Sequence, residues 1–333
     1  MPSRDYNPQL ATLAKTPPSG DGWGHEIKFD GYRIGCRITG PRVTLISRNG
    51  KDWTANFPEV VAAARKLGVT DALIDGEVAA VLPDGRTSFQ ALQNATHRAD
   101  GKVTLIYFVF DLLRLNGTSV VAEPLAARKE RLRTLVGARS TGIIRLSEHI
   151  EGNGARVLER ACRTGLEGIV SKRLDRPYYR GRNTDWVKTK CLLRQEMVIG
   201  GFTDPEGTRA GLGALLLGYY DEDAQLVFAG KVGTGFTHQS AIDLRHTLDR
   251  LERRTSPYAA PPPRAIARRA HWVTPTLVCE VSFTEWTSDG RIRHPVFQGL
   301  RKDKSPLEVH RERPATVEAA AEPSKPPATK RKR

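Results

Sequence analysis

Apolar runs rich in Val, Ile, Phe and Leu cover residues 26–38, 42–47, 72–82 and 103–113, and they predict β-strands. Over residues 57–67 and 123–135 the apolar positions recur at helical spacing with charged residues between them, which predicts two helices. Residues 153–164 make a third, closed by Gly165. From Arg194 the pattern changes to short strands, 196–202, 213–220, 226–232 and 276–284, separated by Gly, Pro and Asp turns. One helix-like segment, 239–251, interrupts them, and a triple proline at 261–263 falls in a loop.

This change of texture places a domain boundary near residues 191–195. Five or so short strands with one helix between them suit a small closed barrel such as an OB-fold, a frequent nucleic-acid module. The 333-residue length accommodates two domains, each with its own core, and 39% hydrophobic residues suffice for most of the chain to fold. The longest apolar stretch, 103–110, is too short to span a bilayer and is closed by Asp111. The first ten residues lack the apolar core of a secretory signal. Four cysteines, Cys36, Cys162, Cys191 and Cys279, form no C-x-x-C pair, so neither a disulfide framework nor a zinc finger is expected, and a reducing compartment is.

Charge changes the picture more. With 52 Lys and Arg against 37 Asp and Glu the net charge is +15, which points to a polyanionic partner such as nucleic acid. The last 23 residues hold 7 Lys or Arg, 3 acids and 4 prolines and read as a disordered basic tail. That tail contributes only +4, so the folded part is itself basic.

Candidate chemistry begins at residues 25–33, HEIKFDGYR. Strand alternation puts Glu26, Lys28 and Asp30 on one face and turns Ile27 and Phe29 to the core. Lys28 reads as a surface ion pair or as a nucleophile whose pKa is lowered by desolvation or neighbouring cations. Arg48 follows in the segment 47–53, and alternation also places Lys188 and Lys190 side by side, where a phosphate is the natural occupant. Asp75 and Glu77, and Glu167, are acids in apolar runs; each alone reads as a salt-bridge or turn residue, and together they suit a hard cation such as Mg²⁺. Phe110, just before Asp111, reads as core or as a base-stacking ring.

Taken in order, Lys28-x-Asp30-Gly31-x-Arg33, Ser47-Arg48-Asn49-Gly50, Asp75-Gly76-Glu77, Phe108-x-Phe110-Asp111, Glu167-Gly168-x-x-x-Lys172 and Lys188-x-Lys190 resemble motifs I, Ia, III, IIIa, IV and V of the covalent nucleotidyltransferases. That superfamily includes ATP-dependent DNA ligases, RNA ligases and mRNA capping enzymes. Arg301-x-Asp303-Lys304 resembles motif VI, and residues 230–236 and 293–300 resemble the ligase modules of bacterial end-joining DNA ligases. The resemblance covers residues 7–308 or so and departs from the family pattern at Gln9, where Met is usual.

The resemblance implies an α+β fold: an ATP-grasp-like nucleotidyltransferase (adenylation) domain over residues 1–192, an OB-fold β-barrel domain over 193–310 and the tail over 311–333. It implies an ATP-dependent DNA ligase acting in repair, in double-strand-break end joining or in nick and gap sealing. Lys28 would take AMP from ATP, pass it to a 5′-phosphate, and see it leave when the 3′-hydroxyl attacks. Glu26 and the neighbouring backbone at Ile27 would read adenine, with Phe110 stacked on it. Arg33 and Arg48 would engage ribose, phosphates or the DNA end, and Glu77 the ribose or the metal. Glu167 would serve Mg²⁺ or Mn²⁺, Lys172 would contribute to the nucleotide site, and Lys188 and Lys190 would hold the α-phosphate. Arg301, Asp303 and Lys304 would close over the triphosphate about a hinge near Leu193 and Arg194. The resemblance includes no N-terminal helical DNA clamp and no polymerase or phosphoesterase module. Expected partners are therefore nicked or broken double-stranded DNA, the Ku end-binding protein and a repair polymerase, for a monomeric, cytoplasmic, bacterial protein that associates with the nucleoid and not with membrane. The competing readings are an RNA ligase or capping-type enzyme using the same Lys28 chemistry, and a DNA-end binding subunit that has lost catalysis.

Overall fold

A computed structural model describes residues 6–97, 103–137, 142–205 and 211–314, and contacts divide it into two compact units that meet in sequence between Cys191 and Leu192. The basic tail lies, from residue 315 onward, outside the described residues.

The first unit contains two sheets. A six-stranded one runs in the order Arg42–Ser47, Gly31–Thr39, Asp71–Val81, Thr104–Leu115 and Thr118–Ser119, with Ile144–Leu146 parallel to Thr104–Leu115. Its apolar face packs with the helices Pro58–Arg65 and Leu125–Gly137, through Ile34, Leu45, Ile74, Tyr107 and Val109 of the sheet and Val60 and Leu132 of the helices. The opposite face carries Phe110 and Leu113, which join Tyr6, Tyr178 and Trp186 in a second cluster. A five-stranded sheet runs in the order Gln9–Leu13, Gly181–Lys190, Gly168–Arg173, Trp23–Ile27 and His149–Glu151.

The apolar run 26–38 reads as one strand but folds as two. Trp23–Ile27 belongs to the five-stranded sheet and Gly31–Thr39 to the six-stranded one, and residues 28–30 cross between them. The crossing is pinned by Lys28 N donating to Gly168 O (3.0 Å) and by the Asp30 carboxylate accepting from Phe89 N (3.1 Å). Only glycine passes at position 31, where a Cβ would run into the Val78 carbonyl oxygen. The helix that Asp30 caps, Phe89–His97, is absent from the sequence expectations, although Ser88 also accepts at its start from Ala91 N (3.2 Å). The helix Gly154–Arg163 starts as its sequence indicates, with Asn153 accepting from Arg156 N (3.1 Å).

The expected absence of disulfides is corrected: Cys162, on that helix, is bonded to Cys191, just past the Gly181–Lys190 strand. They are 29 residues apart, so no spacing motif announces the pair. Cys36 and Cys279 remain buried thiols.

In the second unit the long strand Leu193–Thr203 is central. It pairs with Ala214–Tyr220 along one side, and along the other with Val278–Phe283 at its start and Ala270–Val273 at its end. Leu226–Val232 and Val296–Leu300 lie at the two ends of the path. The helix His238–Asp249, opened by a Thr237/Ser240 capping box, packs on the core through Leu244 and Leu248. The expected closed barrel is not formed among the described residues. The two end strands share no ladder, and their segments meet through Phe297 N donating to Thr234 O (2.9 Å). No helix of the described residues is long and apolar enough to cross a membrane.

Candidate active site

The register of the five-stranded sheet assembles the centre. Val170 lies opposite both Glu26 and Lys188, and Gly168 opposite Lys190. Directly paired residues share a face, so Glu26, Lys188 and Lys190 project on one side, and Lys28 follows Glu26 just past the strand end. Glu167 sits immediately before this ladder, and its Oε2 lies 2.6 Å from Lys28 Nζ. The Glu167 side chain is 4% exposed and that of Lys28 is 23%, so a nearly buried carboxylate holds a more accessible ammonium.

Glu26 is not a surface group. It is buried, and its carboxylate accepts from Lys129 Nζ (2.8 Å, to Oε1), Lys172 Nζ (2.9 Å, to Oε2) and Ser147 Oγ (2.8 Å, to Oε2). Burial alone would raise its pKa, but Lys129 and Lys172 outweigh burial and hold it below the usual carboxylate range. Burial pushes the Lys172 ammonium down to about 8 despite Glu26. That ammonium lies 4.1 Å from the Phe110 ring centre and 4.2 Å from that of Trp186.

Arg33 forms a two-pronged pair with Asp75, Nε to Oδ1 at 2.6 Å and Nη2 to Oδ2 at 2.7 Å. Asp75 is fully buried and also accepts from the phenols of Tyr6 (2.6 Å) and Tyr178 (2.8 Å). Glu77 lies opposite Arg33 on one side and Phe108 on the other. Phe108 is half-buried and stacks on Phe29, with ring centres 3.8 Å apart and planes at 7°. Arg48 occupies the turn after Arg42–Ser47, whose last residue pairs with Ile34; no described side chain bonds to it.

Two sequence expectations change here. Alternation does not continue through residue 30, because the strand ends at Ile27. Asp30 is buried and Phe29 only half so past that end, and within the strand Glu26 is buried because Lys129, Ser147 and Lys172 cover its face, while Ile27 is half-buried. Phe110 is 6% exposed and lies 4.3 Å below the Arg33 guanidinium as well as against Lys172, whereas the accessible aromatic pair is Phe29 with Phe108. Lys129, Ser147, Tyr6, Tyr178 and Trp186 were not singled out in the sequence. A signal existed for Lys129: with Arg128 it falls among Leu125, Leu132 and Val136 on the buried face of its helix.

In the second unit Arg301 bonds Asp303 through two nitrogens (2.9 and 2.8 Å) and Glu280 through a third (2.8 Å), and Lys304 lies 2.9 Å from Glu196. Arg301 is thus already committed to two carboxylates of its own unit.

Two family models match the chain: ATP dependent DNA ligase domain over residues 8–190, and ATP dependent DNA ligase C terminal region over residues 208–304. The chain is 43% identical over 310 residues to the multifunctional non-homologous end joining protein LigD of Pseudomonas aeruginosa, covering 92% of this chain and 37% of that protein. It thus spans little more than a third of that relative. It is 32% identical over 321 residues to DNA ligase C1 of Mycolicibacterium smegmatis, covering 90% of each. Among solved structures, a mycobacterial DNA ligase D complexed with ATP and MES matches with a TM-score of 0.70 at 35% identity, covering 92% of this chain and 98% of that one.

Proposed function

This chain belongs to the ATP-dependent DNA ligase family, and we propose that it seals 5′-phosphate/3′-hydroxyl breaks in double-stranded DNA through AMP carried on Lys28. Its α+β architecture is the adenylation plus OB-fold arrangement of those ligases. The observation that carries the reading is Lys28 Nζ, 2.6 Å from Glu167, beside Lys188 and Lys190.

In the first step the Lys28 nitrogen, once deprotonated, attacks the α-phosphorus of ATP; a P–N bond forms and pyrophosphate leaves. A 5′-phosphate oxygen of DNA then takes the AMP, the P–N bond breaks and Lys28 is restored. Finally the 3′-hydroxyl attacks the activated 5′-phosphate, the phosphodiester forms and AMP departs. Lys188 and Lys190 supply fixed positive charge where negative charge grows on the α-phosphate. Glu26 reads adenine next to Ile27, with Lys172 in contact with it, and an aromatic ring of the Phe108 and Phe110 strand stacks on the base. Arg33 and Arg48 serve ribose, phosphates or the DNA end, and Arg301 and Lys304 the departing pyrophosphate, as the motif resemblance implies.

No group of three or more His, Cys, Asp or Glu among the described residues forms a metal cage. We assign Glu77 and Glu167, as the motif resemblance implies, to a hard cation that would use one or two protein carboxylates and complete its shell with phosphate oxygens and water. They would hold Mg²⁺ or Mn²⁺, which would draw charge from the phosphates.

The domain limits we assign are 1–192 for adenylation and 193–310 for the OB-fold, with 311–333 as a basic tail. The name of the end-joining relative supports a role in bacterial non-homologous end joining. We further propose a cytoplasmic monomer at the nucleoid, with Ku and a repair polymerase as partners. Incubation with α-labelled ATP and Mg²⁺ tests the core of this reading. Wild type should carry an acid-labile AMP adduct that nicked DNA discharges into sealed product, and Lys28→Ala none. No label on pyrophosphate-stripped wild type would refute it.

A further inference from the structure

Three groups converge on the Glu26 carboxylate, although one lysine would neutralise it. Glu26, Lys129 and Lys172 are 3%, 1% and 2% exposed, so two buried cations face one buried anion. The adjacent pairs, Arg33 with Asp75 and Arg128 with Asp111, are each already balanced. Burying a surplus cation is costly, and a salt bridge alone does not call for it. The arrangement does accomplish something else. Lys129 Nζ bonds Glu26 Oε1 (2.8 Å) and the Ser147 carbonyl oxygen (2.7 Å), while the Ser147 hydroxyl bonds Oε2 (2.8 Å). Lys129 is thereby anchored at a second point, and both carboxylate oxygens are fixed in place.

A carboxylate offers about four lone-pair sites. Three are used here, one on Oε1 and two on Oε2, so the remaining one is on Oε1, the oxygen that Lys129 orients. An ionised carboxylate accepts and does not donate. Against a purine it therefore favours the exocyclic amine of adenine, a donor, over the O6 of guanine, an acceptor. Glu26 stands two residues before Lys28, about 7 Å along an extended chain, a step that a nucleoside spans between its base and its α-phosphate.

We infer that Lys129 is a positioning residue that sets the nucleotide specificity of the adenylation step, by pinning Glu26 Oε1 so that its free lone pair meets the 6-amino group of ATP. The inference rests on the reading of Lys28 as the adenylated residue and of Glu26 as the reader of the base.

The test measures adduct formation on the full chain with ATP, with GTP and with the triphosphate of purine riboside, which lacks the 6-amino group. Lys129→Met should lower the preference for ATP over the purine riboside analogue about tenfold, through KM for ATP and not kcat, the order expected for one misaligned charged hydrogen bond. Lys129→Arg, which keeps the cation, should restore most of that preference. Equal losses with ATP and the analogue would show a purely structural lysine and overturn the inference. If Lys129→Met fails to fold, Ser147→Ala removes the companion bond at little change in volume. It should lower the same preference about threefold, and an unchanged ratio would overturn the inference equally. Glu26→Gln separates the layers. An unchanged ratio there refutes base reading by Glu26, a changed ratio there with an unchanged one in Lys129→Met refutes only the role of Lys129, and absence of adduct in wild type refutes the function itself.

Discussion

Lys28 and Glu167, 139 residues apart in sequence, form an ion pair of 2.6 Å at the place where the chain crosses between two sheets. The pair holds the Lys28 ammonium in position, and under the proposed mechanism Glu167 must release it before the nitrogen can attack. In the proposed mechanism Glu167 would also serve the metal. Replacing it removes both functions, so Glu167→Ala should slow adduct formation by on the order of a hundredfold or more while leaving the fold intact. Single-turnover labelling with α-labelled ATP measures this, and a rate within a fewfold of wild type would contradict it.

Arg128 and Asp111 are both fully buried, and the guanidinium also bonds the carbonyls of Glu123 and Arg176. Arg128→Met would strand the Asp111 charge and should cost about 3–5 kcal/mol in urea unfolding. Arg131, whose pair with Glu123 is half exposed, should cost under about 1 kcal/mol as Arg131→Ala. Similar costs for the two would overturn this account of the helix.

The Cys162–Cys191 bond predicts two reactive thiols, not four, in oxidised protein unfolded without reductant, because Cys36 and Cys279 are the free cysteines. Thiol titration before and after reduction measures this directly. In the chain-entropy account a cross-link over 29 residues contributes about 3–4 kcal/mol, so reduction should lower the unfolding midpoint measurably. Four thiols before reduction would exclude the bond.

His271 bridges Asp204 and Glu252, each at 2.8 Å, and hydrogen bonds to these carboxylates raise its pKa above 6.5. The stabilisation from a raised histidine is complete below the unfolded value near 6.5 and is lost as pH rises through the folded one. NMR titration should place His271 above the unfolded value, and Asp204→Asn should bring it back down. A titration at or below 6.5 in the wild type would dismiss the bridge.

Much of the centre was readable from spacing because the contributing segments are short and regular. Lys188 and Lys190 share a face since a strand has period two. Periodicity failed where the chain leaves one sheet for another. Residues 28–30 keep the polar–apolar alternation of a strand, yet their partners are Gly168, Thr87 and Phe89. Alternation carried past that break wrongly turned Phe29 inward, and Glu26, inside the strand, is buried because Lys129 and Lys172 cover the face expected to be open.

The sequence by itself determined the order of the motifs, the two-part organisation and most strands and helices, because each depends on neighbours within a few residues. Only the tertiary structure decided which charges neutralise one another: Glu26 with Lys129 across 103 residues, Lys28 with Glu167, and Arg33 with Asp75. It also decided that Cys162 meets Cys191 and that, among the described residues, the second unit's strands stop short of a closed barrel. The reason is physical: a backbone period is local, whereas a buried charge must be satisfied by whatever the fold brings within about 3 Å, and sequence separation carries no information about that.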